Sequence, residues 1–178
     1  ALAYVNPSRS PGADGEFGYT HAACPIAYFV PAVLDSMYLK LGSPAGRRTL
    51  APVCGEINQD VASTSQGRWF FNSVIQDDPH LALVHDNVDP RVAVFSVGTS
   101  LPGTTSGVYA FTPAASGRVD RDFHDVVADG QPYCTVARLG GYLPRRFVFQ
   151  LVTPSRLRIQ SDAATTCGDA STWQFGAS

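Results

Sequence analysis

Two apolar segments separated by a polar turn, HLALVHDNVDPRVAVFSV at residues 80–97, decide the fold class of this chain. Both segments are rich in residues that favour strands, and Asn87, Asp89 and Pro90 are of the types that reverse the chain direction. The same unit, a short apolar segment followed by a polar turn, recurs at intervals of about ten residues from Gly67 onward. This pattern is typical of an antiparallel meander of short strands.

Nine segments follow this pattern, and in several of them apolar side chains alternate with polar ones. Phe147 and Phe149 then share one face of a strand, as do Tyr109 and Phe111. The nine segments are RWFFNSV (68–74), HLALVHD (80–86), RVAVFSV (91–97), GVYAFTP (107–113), VDRDFHDVV (119–127), PYCTVARL (132–139), RRFVFQLVT (145–153), RLRIQ (156–160) and TWQF (172–175). We therefore predict a mainly β fold, in which an antiparallel meander of about eight strands closes into a barrel.

The first third of the chain lacks this strand pattern. Residues 1–20 contain several prolines and glycines without a sustained periodicity, and we predict an irregular arm there. Apolar residues recur at helical spacing over residues 30–41, and Pro31 suits the first turn of a helix. We predict one N-terminal helix at about 30–42, which caps a single β-barrel domain of residues 21–178.

The composition excludes several classes of protein. Of the 178 residues, 44% are hydrophobic and 16% are charged, so the chain is too apolar to be intrinsically disordered. Its formal net charge of −2 provides no basic surface for nucleic acid, and no apolar run approaches the ~20 residues of a membrane-spanning helix. We expect no nucleic-acid partner and no transmembrane segment, and the possibility of a homo-oligomer is left open.

Four cysteines, Cys24, Cys54, Cys134 and Cys167, occur without a C-x-x-C pair, which argues against the usual zinc-ribbon and thioredoxin-like spacings. Two disulfides are the favoured interpretation, and four reduced thiols are the alternative. Three pairings are possible, of which the sequential one joins the first cysteine to the second and the third to the fourth. Paired cysteines, together with low lysine and methionine content, predict a secreted or periplasmic protein.

The stretch Gly67-Arg68-Trp69 resembles the G-x-W start of the first barrel strand in lipocalin-like (calycin) proteins, and the meander after it resembles their connectivity. The resemblance covers about 110 residues, and the second, T-D-Y-like motif of the family is absent. It implies a lipocalin-like barrel with a cup for a small apolar ligand, and a late arginine, Arg156 or Arg158, stacked across the tryptophan. The stretch GEINQDVASTSQGRWFF also resembles uncharacterised secreted bacterial β-proteins.

Aromatic residues on successive strands suggest a function in binding. If the barrel is open at one end, they line an apolar pocket for a small hydrophobic or aromatic molecule. The predicted ligand-binding residues are Trp69, Phe71, Tyr109, Phe111 and His85. If the barrel is filled, the same aromatic residues form its core.

An enzyme on the same barrel is the alternative function, such as a small isomerase, cyclase or hydrolase. Its predicted catalytic residues are His85 and His124 as acid or base, and Arg121 as the group that stabilises an anion. A pairing of His85 with His124 across the barrel could bind a metal, but the sequence alone does not place them together, so we assign no metal site and no cofactor. A third possibility is an accessory or assembly module in which the first 66 residues form a contact arm.

Overall fold

The structure is a computed structural model, and it describes residues 2–5, 24–44, 46–48, 53–54, 59–71 and 80–175. Its strands are β1 (Leu2–Val5), β2 (Gly42–Ser43), β3 (Gly46–Arg47), β4 (Gly67–Phe71), β5 (His80–His85), β6 (Ala93–Val97), β7 (Gly107–Phe111), β8 (Tyr133–Ala137), β9 (Arg145–Thr153) and β10 (Arg156–Asp162). The helix α1 spans Pro31–Tyr38, and short 3-10 helices span Pro25–Tyr28, Phe123–Asp125 and Ala170–Thr172.

Within the described residues, eight strands form one antiparallel sheet in the order β7-β6-β5-β4-β1-β10-β9-β8. Strands β4 to β10 follow one another, and β1 pairs with both β4 and β10. Strand β7 is joined to the residue that follows β8 by two backbone hydrogen bonds between Ala110 and Arg138, with N···O distances of 2.8 and 3.0 Å. The sheet is thus a nearly closed barrel, which confirms the prediction of a mainly β meander of about eight strands with one helix.

Strand β1 corrects the prediction of an irregular arm for the first residues of the chain. Leu2 pairs with Ile159 of β10, and Tyr4 pairs with Phe71 of β4. Tyr4 is fully buried, and its hydroxyl lies 2.7 Å from Ser100 Oγ. The prolines and glycines that suggested an arm all follow Val5. They therefore do not interrupt the short strand before them, which carries one inward-facing aromatic residue. The rest of the predicted arm lies outside the described residues.

Helix α1 begins within one residue of the predicted position, with Pro31 in its first turn, and ends at Tyr38 rather than near residue 42. Its end is earlier because the chain enters the β2–β3 hairpin at Gly42. None of its side chains is fully buried. In the part of the chain that the structure describes, no helix has the length and apolar character needed to cross a membrane.

The barrel interior is filled by aromatic side chains. Phe95 lies at their centre and stacks on Phe147, with ring centroids 4.4 Å apart and planes inclined by 10°. Phe123 and Phe149 meet the Phe95 ring edge-on, at 4.9 and 5.6 Å. All four residues are fully buried, and such offset and edge-to-face contacts add to the stabilisation from apolar burial.

Two disulfides, Cys24–Cys54 and Cys134–Cys167, confirm the prediction of paired cysteines and select the sequential pairing. The second disulfide fastens the C-terminal segment to β8. There Trp173 is buried in a small cluster with both cysteines, and its Nε1 donates to Cys167 O at 2.6 Å. The predicted strand at 172–175 is therefore wrong, because the chain forms a short 3-10 helix at Ala170–Thr172 and Trp173 then packs on the disulfide, without pairing with the sheet.

The barrel opens beside the Ala110–Arg138 pair. Val136 N donates to Asp120 Oδ1 at 3.4 Å, and a groove of about 570 Å³ is lined by Thr112, Asp120 and Val136, among others. Next to the groove, Asp120 N donates to Cys134 O at 2.9 Å, so residues before β8 cover part of its edge. Such cover removes exposed strand backbone that could otherwise pair with another chain.

Arg146 and Asp162 join β9 to β10, with Arg146 Nη2 2.6 Å from Asp162 Oδ2. Burial raises the pKa of Asp162, but hydrogen bonds from Arg146 outweigh that effect and hold the pKa below its usual range. A carboxylate with a lowered pKa stabilises the fold above its unfolded pKa of about 3.9. That stabilisation is lost as the pH falls through the folded-state pKa.

The substitution Asp162→Asn is expected to lower the free energy of unfolding at pH 7 by about 1 kcal/mol, because the carboxylate is 43% exposed and partly screened by water. The deficit relative to the wild type should shrink below about pH 4, where the unfolded carboxyl becomes protonated, and should vanish once the pH has passed below the folded-state pKa. Urea denaturation of both proteins across this range measures it. An equal deficit at every pH would show that the ion pair is not its source.

Candidate functional site

His85 lies at the end of β5, on the same side of the strand as the buried Leu81 and Leu83, as its position in the sequence predicts. Its side chain is 15% exposed. The side chain of Gln59 fixes the backbone there, since Oε1 accepts from His85 N at 2.7 Å and Nε2 donates to His85 O at 2.8 Å. His85 is therefore held at one end of the barrel, which we call the histidine end.

The second part of the site is a 3-10 turn at residues 123–125, which corrects the prediction of a strand at 119–127. Asp122 begins the turn, and its carboxylate accepts from His124 N at 3.2 Å. Phe123 enters the barrel core, and Ser65 Oγ donates to Phe123 O at 3.1 Å. Burial of Phe123 favours the turn over a strand and places its two polar neighbours beside His85.

Three side chains converge at the histidine end: His85, Asp122 and His124, which we call the His–Asp–His centre. His85 Nε2 lies 3.1 Å from each oxygen of the Asp122 carboxylate. His124 Nδ1 lies 2.8 Å from Asp122 Oδ1, and the two imidazole centroids are 6.3 Å apart. One donor atom of each residue lies within 4.8 Å of the others.

The carboxylate at the middle of this centre is ionised over the whole neutral range. Burial raises the pKa of Asp122, but hydrogen bonds from His85 and from the His124 backbone, with the charges of both rings, lower it to about 2. Asp122 supplies a fixed negative charge between two nitrogen donors.

An outer layer holds His124 in place. His124 Nε2 lies 3.1 Å from Asp125 Oδ1, and Arg121 Nη2 lies 2.8 Å from Asp125 Oδ2. Arg121 also donates to Ala115 O through Nη1. The guanidinium of Arg121 is thus engaged with Asp125 and with the backbone, so in this structure it orients the carboxylate behind His124.

The structure brings together all three residues that the sequence suggested for catalysis, His85, His124 and Arg121, and adds Asp122 and Asp125 to them. Neither aspartate was expected from the sequence, because residues 119–127 were predicted to form a strand. The local sequence does contain a hint of the turn. Asp122 and His124 flank the apolar Phe123, and this arrangement fits a capped turn as well as a strand.

Apart from His85, the predicted ligand-binding residues lie elsewhere. Trp69, Tyr109 and Phe111 are buried in the aromatic core, and Phe71 packs on its edge. Trp69 Nε1 donates to Ser65 O at 2.9 Å, and Tyr109 hydroxyl donates to Thr105 O at 2.7 Å. These residues therefore contribute packing and internal hydrogen bonds, although Phe111 also borders the groove beside Ala110–Arg138.

Arginines that the lipocalin resemblance would place across Trp69 have other positions. The Arg158 guanidinium lies 4.9 Å from the centroid of the Phe175 ring, and Arg156 is exposed. Comparisons of the whole chain with models of known families, with curated proteins and with solved structures found no match. The resemblance to lipocalin-like proteins therefore stays a prediction.

Proposed function

We propose that this chain binds a divalent transition-metal ion at the His–Asp–His centre, as a three-ligand site with an open coordination position. The single observation that carries the proposal is the convergence of two imidazole nitrogens and a carboxylate oxygen within 4.8 Å. Histidine and carboxylate are the usual ligands of zinc, and sites with three protein ligands leave a position for water or substrate.

The hydrogen bonds of His124 support a cation between it and Asp122. Its Nε2 faces the Asp125 carboxylate, so this nitrogen carries a hydrogen. In a neutral ring, Nδ1 would then turn a lone pair toward the Asp122 oxygen 2.8 Å away, which is repulsive. A proton on Nδ1 or a bound metal ion relieves that repulsion, and a metal ion would also engage His85.

The outer residues match the surroundings of known metal sites. A histidine that binds a metal commonly donates its other ring N–H to a carboxylate, which fixes its tautomer and orientation. Asp125 stands in that position behind His124, and Arg121 fixes Asp125 in turn. His124 is 52% exposed, so the centre is open to solvent on that side. A metal ion held there would act as a Lewis acid on a small substrate.

Binding of Zn²⁺ and Co²⁺ to the purified protein tests the proposal. Calorimetry is expected to show one equivalent of Zn²⁺, and the visible spectrum of Co²⁺ should report nitrogen and oxygen ligands. His124→Gln and Asp122→Asn should each remove this binding, because each deletes a ligand. Asp125→Asn should weaken it by about 10- to 100-fold, because only the orientation of His124 is lost.

His80→Gln is the matched control, since His80 is on the same strand as His85 but at its other end. Its metal affinity should equal that of the wild type. Absence of Zn²⁺ and Co²⁺ binding, or equal loss in His80→Gln and His124→Gln, would refute the proposal. An enzymatic activity that needs no metal ion and is abolished by His85→Gln would also refute the proposal. It would favour acid–base catalysis by His85, with Asp122 as the group that orients it.

We also propose that the protein functions outside the cytoplasm. It contains two disulfides, Cys24–Cys54 and Cys134–Cys167, and disulfides form and persist mainly in oxidising compartments. Both disulfides occupy cysteines that would otherwise compete for a transition metal. Alkylation of the unreduced protein from its natural source, followed by mass spectrometry, should find these four cysteines unmodified; alkylated cysteines would contradict the proposal.

A further inference from the structure

A second cavity lies at the end of the barrel opposite to the His–Asp–His centre. It has a volume of about 190 Å³. Strand β6 shows where this cavity lies. The first residue of β6, Ala93, pairs with His85 at the histidine end, whereas Leu101 of the cavity lies four residues beyond Val97, the last residue of β6. The cavity is lined by the apolar residues Leu2, Leu101, Pro102 and Ile159, and by the polar residues Gln160 and Ser161.

An arginine stands directly behind the polar wall of this cavity. Ser161 lies on the same side of β10 as the buried Leu157 and Ile159. Its Oγ accepts from Arg145 Nη2 at 3.3 Å and is also hydrogen-bonded to Thr104 Oγ1. Arg145 lies on the same side of β9 as the buried Phe147 and Phe149, so it belongs to the inner face at this end of the barrel.

Arg145 has unused capacity to bind an acceptor. Its Nε is buried and has no hydrogen-bond partner, which is uncommon for a buried donor. The neighbouring carboxylate of Asp162 is engaged bidentately by Arg146 instead. In the part of the chain that the structure describes, Arg145 forms no ion pair of its own. The Arg145 guanidinium therefore stands behind Ser161, outside the lining of the apolar cavity but in hydrogen-bond contact with it.

We propose that this cavity binds a small monocarboxylate whose body is a single aromatic ring or a short aliphatic chain. An apolar cavity of about 150 Å³ is large enough for benzene, so 190 Å³ leaves room for a ring and part of a head group. Guanidinium groups bind carboxylates through two parallel hydrogen bonds. Leu2, Leu101 and Ile159 contact the apolar body, and Arg145 and Ser161 bind the carboxylate.

This site differs from the one that the sequence suggested for a small apolar ligand. Trp69, Tyr109 and Phe111 fill the middle of the barrel, whereas the proposed ligand occupies its end. It is also independent of the metal proposal, because the two sites share no residue.

Titration with benzoate and with toluene tests the proposal, with binding followed by chemical-shift changes of backbone amides. Benzoate is expected to shift amides around Leu101 and Ile159 and to bind more tightly than toluene. Arg145→Gln should weaken benzoate binding by about tenfold or more while leaving toluene binding unchanged, since it removes only the charge-assisted hydrogen bonds. Ser161→Ala should weaken benzoate binding less, because one hydroxyl is lost.

Arg158→Gln is the matched control, since Arg158 lies on the outer face of β10 over Phe175. Its benzoate affinity should equal that of the wild type, as should that of His124→Gln, which alters only the opposite end. Equal binding of benzoate and toluene would overturn the assignment of a carboxylate ligand. Absence of binding by both molecules in a folded wild-type protein would overturn the site itself.

Discussion

The substitution Phe95→Ala is expected to lower the free energy of unfolding by about 3–5 kcal/mol, the usual cost of removing a buried phenylalanine. Phe95 is fully buried and contacts four aromatic rings in the barrel, those of Phe111, Phe123, Phe147 and Phe149. Rings on β7, on β9 and on the 3-10 turn cannot all move inward to fill the space. Urea denaturation followed by tryptophan fluorescence measures the loss.

Leu143→Ala provides the control, because Leu143 is 84% exposed and its truncation creates no cavity. Its free energy of unfolding should stay within about 0.5 kcal/mol of the wild-type value. The free energy of unfolding of Phe95→Leu should lie between those of Phe95→Ala and Leu143→Ala, since leucine retains part of the buried volume. A cost below about 1 kcal/mol for Phe95→Ala would mean that the barrel interior can collapse around the missing ring.

Removal of residues 1–5 is expected to abolish cooperative unfolding of the barrel. Strand β1 supplies the pairing partner of both β4 and β10, so its loss opens the sheet and leaves two unpaired edges. It also removes Tyr4, a fully buried core residue. Near-ultraviolet circular dichroism and the dispersion of amide resonances should both report the loss of fixed packing.

A synthetic peptide with the sequence of residues 1–7, ALAYVNP, should restore the fold of the shortened chain when added in excess. The same peptide with Tyr4→Ala is the control, because it retains the backbone pairing but not the core contact. We expect the Tyr4→Ala peptide to restore the fold of the shortened chain less well than the unmodified peptide. An unchanged unfolding midpoint in the shortened chain, without peptide, would show that β4 and β10 do not depend on β1.

The strands from β4 to β10 were predictable because their signal is local. Alternation of apolar residues, as in Phe147, Phe149 and Leu151, and polar turns such as Asp89-Pro90 are properties of neighbouring residues. Strand β1 gives no such signal, since four residues are too few to establish a period and its partners, Phe71 and Ile159, are distant in the chain. Its existence depends on tertiary pairing.

The candidate site, like the fold, could be predicted only in part. Residue type alone drew attention to His85, His124 and Arg121, because imidazole and guanidinium groups carry much of protein chemistry. Their proximity depends on the burial of Phe123, which turns the chain so that Asp122 and His124 face His85. The polar and apolar residues over 119–127 follow no distinct period, so the sequence could not distinguish a turn from a strand there.

The position of β1 also bears on how fast the barrel is formed. Leu2 pairs with Ile159, so two segments 157 positions apart in the sequence must meet before the sheet can close. Contacts of such long sequence separation carry a large loop-closure entropy and slow the folding of β proteins. Until that closure, β4 and β10 present free edges that can pair with other molecules. Newly made chains should therefore be most prone to aggregate in the interval before their first strand is enclosed.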